Sequence, residues 1–254
     1  MKRLILLSLV TLLCLPLAVY AASIGGVETQ GQGKFSIGFD QEFVFDRDFE
    51  FDKANWDLAA QSIVVEKIEL DKAYRTMIKL NYGVVDNLDV YVKLGAGDSK
   101  INLDDLRSGT SENNIYDSDY GFAYGVGLKG AFDLENNWLV GCDLQYLRQK
   151  ADWTPKGDFQ GEGDKITIQE WHIAPYVGYK VGNFIPYFGV RYSDLRAKTE
   201  WGGKDAGDWE KVKADDNFGV FLGTDYKIAE NWTLNLEARF IDETAISFGT
   251  TYRF

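Results

Sequence analysis

The sequence predicts an all-β protein, a closed antiparallel transmembrane β-barrel of about ten strands, with eight and twelve strands as the alternatives. Three observations lead there. Apolar and polar residues alternate with period two in segment after segment. The connections between those segments are short and long by turns, and the chain ends in an alternating aromatic strand, Ala245 to Phe254. Such a barrel has short periplasmic turns, long outer loops and both ends of its mature chain on the periplasmic side.

The first element is a leader. Lys2 and Arg3 precede an apolar stretch from Leu4 to Leu17, and Val19-Tyr20-Ala21 offers a cleavage site before Ala22. Residues 1–21 are therefore expected to be a cleaved secretory signal peptide, and 22–254 the barrel domain. The residue before Cys14 is Leu13, too large for a typical lipoprotein cleavage site, so no lipid anchor is expected. The leader is short for a membrane helix, and no later apolar run reaches helix-spanning length. Export without a spanning helix leaves a soluble exported protein or an outer-membrane barrel.

Strands are expected over 34–45, 70–84, 88–96, 120–132, 137–149, 165–181, 184–197, 216–228, 232–241 and 245–254. In 120–132, Tyr120, Phe122, Tyr124, Val126, Leu128 and Phe132 share one face, while Gly121, Ala123, Gly125, Gly127, Lys129 and Ala131 share the other. In 88–96, Leu88, Val90, Val92 and Leu94 alternate with Asp89, Tyr91, Lys93 and Gly95. In 232–241, Trp232, Leu234, Leu236, Ala238 and Phe240 alternate with Thr233, Asn235, Glu237 and Arg239.

Tight turns are expected at Val85-Asp86-Asn87, Glu135-Asn136, Gly182-Asn183 and Glu230-Asn231, and long polar outer loops at 46–69, 100–118, 151–164 and 199–214. The connection 242–244 is short where a long one is due. A soluble sandwich has no reason to alternate this way, and its aromatic faces would need a second sheet to cover them. In a barrel they meet lipid. Trp138, Phe184, Trp232, Tyr252 and Phe254 fall near the turn side and Trp153, Trp171 and Trp201 toward the loop side, as interfacial girdles do.

Composition agrees and excludes other classes. Twenty-six Gly against four Pro, with 15% aromatic residues, suit strands and tight turns. A net charge of −12 argues against binding a nucleic-acid backbone. One His and two Cys, one of them in the leader, exclude a disulfide framework and a histidine- or cysteine-cluster metal site, so no metal and no cofactor is expected.

The end of the chain is the most specific local pattern. Ser247, Gly249, Tyr252 and Phe254 meet a polar-x-Gly-x-x-aromatic-x-aromatic spacing that resembles the terminal strand signal read by the barrel insertion machinery. Those four residues are the expected assembly signal. Further short stretches lie in collinear order. They are Phe43-Val44-Phe45-Asp46-Arg47, Ala73-Tyr74, Asn81 to Val90, Leu94-Gly95-Ala96, Glu170-Trp171, Ile185 to Val190, and Leu236 to Glu243 ahead of Tyr252-Arg253-Phe254. Together they resemble the chlamydial major outer membrane proteins. The resemblance implies a general porin of a Gram-negative-type outer membrane, assembled as a homo-oligomer, a trimer in that family. This chain is shorter than that family and keeps one cysteine past the leader, Cys142, so the family's disulfide-linked envelope network does not carry over.

Function has to be sought on the inner face. Alternation turns Arg75, Lys79, Lys93, Arg191 and Arg239 inward with Asp89, Asp143 and Glu237, together with many of the glycines. These eight charged residues are the candidates for a pore constriction. The expected function is passive diffusion of small hydrophilic solutes through a porin-like channel. The first alternative is a non-conducting structural or adhesive surface barrel, because about ten strands lies close to the size at which side chains fill the interior. The remote alternative is an outer-membrane hydrolase. His172 beside Glu170 is the only base of the usual kind, no nucleophile elbow or metal motif accompanies it, and no catalytic residue is assigned. The long stretches carry most of the acid excess, which suits divalent-cation bridging to lipopolysaccharide, so the expected partners are outer-membrane lipid and lipopolysaccharide, with no nucleic acid.

Overall fold

The computed structural model describes residues 23–54, 63–107, 110–155, 165–201 and 208–254. The expected leader, 1–21, lies outside the described residues. Twelve antiparallel strands close into a ring: β1 (Phe35–Ala54), β2 (Ile63–Val85), β3 (Leu88–Arg107), β4 (Thr110–Ser118), β5 (Gly121–Asp133), β6 (Trp138–Pro155), β7 (Lys165–Tyr179), β8 (Phe184–Trp201), β9 (Asp208–Ala214), β10 (Phe218–Ala229), β11 (Trp232–Phe240) and β12 (Thr244–Arg253). The last strand pairs with the first, Ser36 opposite Arg253 through Asp46 opposite Thr244, so no edge is left open there.

Ten staves make the circuit. β3 pairs along its length first with β5 and then with β4, and β6 does the same, so β4 and β5 are one stave interrupted at Asp119-Tyr120. β8 pairs in turn with β10 and β9. Above the short β11–β12 connection, β9 crosses to pair with β1, Phe49 opposite Ala214. Twelve strand segments and about ten staves thus both describe the barrel.

The four tight turns fall where the sequence places them. The turn after β5 is a single 3-10 turn, Glu135–Asn137, with Asn136 and Asn137 at positive φ, and Gly182 holds φ +59° in the turn before β8. The long outer loops are a correction. The described parts of 46–69, 100–118, 151–164 and 199–214 are strand, continuing the staves outward; 55–62, 108–109, 156–164 and 202–207 lie outside the described residues. In β1 and β2 periodicity misses these extensions because β-bulges shift the register between Val44 and Asp46 in β1 and between Leu70 and Lys72 in β2. Each bulge moves the inward positions from one parity to the other.

The lipid-facing band occupies the turn-side half. Ile78, Leu80, Tyr82 and Val84 of β2, Val90, Val92 and Leu94 of β3 and Phe122, Tyr124, Val126 and Leu128 of β5 expose their apolar side chains outward. Trp138, Phe184, Trp232, Tyr252 and Phe254 are exposed near the turn side, as the girdle reading expects, and Trp171 is exposed farther along β7. The side chains of Trp153 and Trp201 lie outside the described residues. At about 3.3 Å per residue the 23-residue β2 is roughly 75 Å long, against an apolar band about 25 Å tall, so even a tilted stave projects well past the membrane.

Candidate functional site

The inner face of the ring is where a solute would have to pass, and three stacked layers fill it. Single strands show all three. Along β8 the inward residues run Ile185 and Tyr187, then Arg191 and Ser193, then Leu195 and Ala197, all buried. Along β2 they run Asn81 and Lys79, then Arg75, then Ala73, Leu70 and Ile68.

The turn-side layer is organised by a segment ahead of β1. Residues 23–33 do not leave the barrel mouth but fold back into the lumen, forming a strap. Gly33 N–H donates to the Gly83 carbonyl at 2.8 Å and Gln32 N–H to Asp86 Oδ1 at 3.1 Å, which anchors the strap at the rim. Gly25 and Gly26 take φ of +60° and +87°, a region that disfavours side chains, and there the strap turns inside the ring. Ile24 and Val27 pack among Ala131, Leu139, Ala174, Tyr176, Ile185, Tyr187 and Phe221.

Wall residues satisfy the strap's backbone. Lys79 donates to the Ile24 carbonyl at 2.9 Å, Lys93 to Ser23 at 2.8 Å, and Lys129 to Ile24 at 2.6 Å and also to Gly26. In return Asp225 accepts from Val27 N–H at 2.9 Å and Asp89 from Gln30 N–H at 3.1 Å. At the mouth Glu28 meets Lys227, Lys180 and Arg253 at 2.8, 3.1 and 3.3 Å. Beside the strap, Asp143 accepts from the Tyr91 hydroxyl at 2.8 Å and contacts His172 Nε2 at 3.1 Å.

The middle layer is an arginine–carboxylate network. Arg47 bridges Glu170 at 3.1 Å and Glu243 at 3.2 Å and donates to Ser193 Oγ at 2.7 Å. Arg191 holds Asp242 at 2.6 Å and also Glu243. Arg239 holds Glu237 at 2.8 Å and Glu243 at 3.1 Å, and Arg75 meets Glu42 at 3.3 Å. Asp242 and Glu243 come from the short connection before β12, which tucks into the ring instead of projecting outward. Gly219 makes room for it, since a Cβ there would stand 1.8 Å from the Asp242 carboxylate. A buried charge of either sign is costly alone, and each of these has partners of the other sign.

The outer layer is apolar. Val44, Phe49, Ile68, Leu70, Ala73, Ile101, Ala151, Ile166, Ile168, Leu195, Ala197, Val212, Ala214 and Ala245 form one buried cluster inside the projecting staves. Among them stand the buried polar side chains of Ser99, Gln149 and Thr199.

The eight constriction candidates all lie on the inner face, but in two separate layers. Lys79, Asp89, Lys93 and Asp143 lie around the strap, whereas Arg75, Arg191, Glu237 and Arg239 belong to the arginine network. None lines open water: Lys93 and Asp143 are 0% exposed and Arg191 2%. Of the assembly residues, Ser247 and Gly249 face inward, and Tyr252 and Phe254 face outward at the turn side. Sequence reasoning missed Arg47, Asp242, Glu243 and the strap. Arg47 follows the β1 bulge, and neither the tucked connection nor the strap has any periodicity. The signals available were the connection that is short where a long one is due and the four glycines between 25 and 33. His172 is buried against Asp143, and its cross-strand neighbour Ser193, also buried, bonds Arg47 and Asp242.

Comparison with known proteins gives the same class. The outer membrane protein beta-barrel domain family matches residues 106–254. Outer membrane protein B of Chlamydia muridarum is 21% identical over 166 residues, covering 54% of this chain and 46% of its own. The major outer membrane porin of Chlamydia pneumoniae is 22% identical over 236 residues, covering 63% of this chain and 59% of its own. The chain thus spans about half the length of these curated relatives. Among solved structures, the translocator domain of the autotransporter NalP from Neisseria meningitidis aligns over 90% of this chain and 91% of its own with a TM-score of 0.48 and 14% identity. The outer membrane protease OmpT of Escherichia coli aligns over 87% and 96% with a TM-score of 0.47 and 13% identity.

Proposed function

This chain belongs to the outer membrane protein beta-barrel domain family and resides in the outer membrane, and from that premise we propose that it is a lumen-sealed surface barrel, not an open porin or an enzyme. The observation that carries this reading is the stack of three filled layers. A hydrated ion would have to displace the strap, break the Arg47–Glu170–Glu243–Arg191 network and cross the cluster around Phe49, Ile68 and Leu195. The last of these is the most demanding, because an apolar core offers a dehydrating ion no compensating partner.

The sealed interior fits a structural role. It makes the projecting staves a rigid post that carries acidic residues such as Asp46, Asp48 and Asp71 outside the membrane. Passive diffusion, the function the chlamydial resemblance implies, is supported by the match to the Chlamydia pneumoniae porin and opposed by the filled lumen. The discriminating experiment is planar-bilayer recording of refolded protein beside a variant lacking Ser23 to Gln30. Neither is expected to give discrete current steps above background, since the outer core persists when the strap is gone. Stepwise currents from the intact protein would overturn the proposal in favour of a porin. Steps from the deletion variant alone would make it a channel gated by the strap.

A further inference from the structure

The outer wall of the barrel carries a patch whose charge is opposite to that of the chain as a whole. Strand register aligns Tyr124, Arg148, Gln169, Arg196 and Lys213 in one row across β5 to β9. The next row outward aligns Phe122, Lys150, Thr167, Lys198 and Lys211. Alternation points both rows outward, because their neighbours Leu147, Ile168, Ala197 and Val212 are buried inside. Six cations therefore occupy two adjacent rows that contain no carboxylate, on a protein whose net charge is −12.

Ion pairing leaves part of this patch uncommitted. Arg196 is bonded to Asp194 at 2.8 Å, Lys198 to Glu200 at 2.5 Å and Lys213 to Glu50 at 2.7 Å. Among the described residues Arg148 and Lys150 enter no salt bridge. Glu200, at the outer end of β8 and beyond the apolar band, is held below the usual carboxylate range first by the hydrogen bond from Lys198, and also by the fields of Lys198, Lys150 and Lys165.

Two concavities meet at this point. The break between β4 and β5 takes one extra residue, since Lys100 to Gly97 of β3 spans Asp117 to Gly121. It opens a notch of about 490 Å³ lined by Tyr120, Phe122, Tyr124, Arg148, Lys150 and Lys165 together with the carboxylates Asp119 and Asp152, three cations against two acids. Directly toward the turn side, on the same β5 and β6, lies an apolar depression of about 910 Å³ whose walls include Leu80, Val92, Val126, Leu128, Leu144 and Trp171. Tyr124 and Val126 are successive outward residues of β5, and Arg148, Tyr146 and Leu144 are successive outward residues of β6, so notch and depression run into each other.

The order of chemistries, acyl-compatible below and cationic with aromatic walls above, is that of an amphiphile standing in the leaflet on the long-strand side. We propose that the notch binds a phosphate of an acylated outer-leaflet glycolipid. Arg148 and Lys150 take the phosphate, Tyr120 and Phe122 flank the sugar, and the depression takes an acyl chain. The guanidinium of Arg148 supplies the forked donor set that phosphate accepts, and Lys150 a second point charge. This proposal rests on the outer-membrane placement and is independent of whether the lumen is sealed.

The test uses refolded full-length barrel in neutral detergent and bis-phosphorylated lipid A as probe, with bound lipid counted by native mass spectrometry. The Arg148→Gln, Lys150→Gln double variant is expected to lose at least tenfold in affinity, and Lys34→Gln, Lys72→Gln, ahead of β1 and on β2 and outside the notch, to change little. Dephosphorylated lipid A should bind the unmodified protein as weakly as lipid A binds the double variant, a comparison that stands even if the variant folds poorly. Inorganic phosphate at millimolar concentration should not compete. Equal loss from both variant pairs, or equal affinity for the dephosphorylated lipid, would overturn the proposal. Effective competition by inorganic phosphate would also overturn it, in favour of a free-anion site.

Discussion

The turn-side half of the barrel and its projecting outer half are built from the same staves with opposite polarity. On the turn side β2 turns Ile78, Leu80 and Tyr82 outward and Lys79 and Asn81 inward. Past its bulge the same strand buries Ile68 and Leu70 inside and turns Lys67, Glu69 and Asp71 outward. β1 does likewise, with Asp40 and Glu42 inside below its bulge and Phe49 inside above it. The medium explains the inversion. Lipid rewards an apolar exterior and forces polar side chains to find partners inside, whereas water rewards the reverse. The arginine network is the seam where one rule gives way to the other.

The broadest way to break the comparison is to stop the turn-side half from reaching lipid at all. Phe254 is 75% exposed, and its N–H donates to the Phe35 carbonyl at 3.0 Å. It contributes little packing, so a role in recognition by the insertion machinery should be separable from one in stability. Deleting Phe254 is expected to remove most of the heat-modifiable folded form from outer membranes, while refolding in detergent micelles stays close to normal. Unchanged yield in cells would end the assembly reading of Ser247, Gly249, Tyr252 and Phe254.

Next in size is the seam. Arg191→Met would leave Asp242 and Glu243 with fewer cations in a buried layer, where breaking an ion pair costs about 3–5 kcal/mol. Urea unfolding in micelles, followed by the heat-modifiable band, measures it. A cost below about 1 kcal/mol would indicate a seam open to water, where surface-type ion pairs are worth that little, and would weaken the sealed-lumen reading with it.

What the sequence discloses follows from where each rule runs unbroken. β3, β5 and β11 alternate without bulges through the membrane, so the faces of Leu88 to Gly95, Tyr120 to Phe132 and Trp232 to Phe240 can be read directly. Arg47, Ile68 and Leu70 lie beyond bulges, where one extra residue reverses parity and erases the pattern that would have named the outer core. The strap is beyond any periodicity: much of its hold is through backbone carbonyls and N–H groups that every residue carries, and its side-chain anchors, Ile24, Val27 and Glu28, follow no regular spacing. Lys79, Lys93 and Lys129 were legible as inward cations, but that they bind carbonyls of Ser23, Ile24 and Gly26 was not.

The finest test sets one leucine from each half of β2 against the other. Leu70 is 1% exposed inside the outer core, and Leu80 is 45% exposed toward lipid. Both leave water when the chain folds from urea into a micelle, so Leu→Ala should cost each site a transfer penalty of about 0.8 kcal/mol per lost methylene. Only Leu70 is enclosed by fixed neighbours, and there truncation adds a cavity, for a total of about 2.7–5 kcal/mol. Around Leu80 fluid acyl chains close over the missing atoms, and the cost should stop at about 2 kcal/mol. The excess at Leu70, about 1–3 kcal/mol, therefore reports whether the interior of the projecting half is close-packed. Measured by urea unfolding of the two variants in the same micelles, equal costs would mean that the outer lumen is soft or wet, and the layer that most firmly denies passage to an ion would be lost.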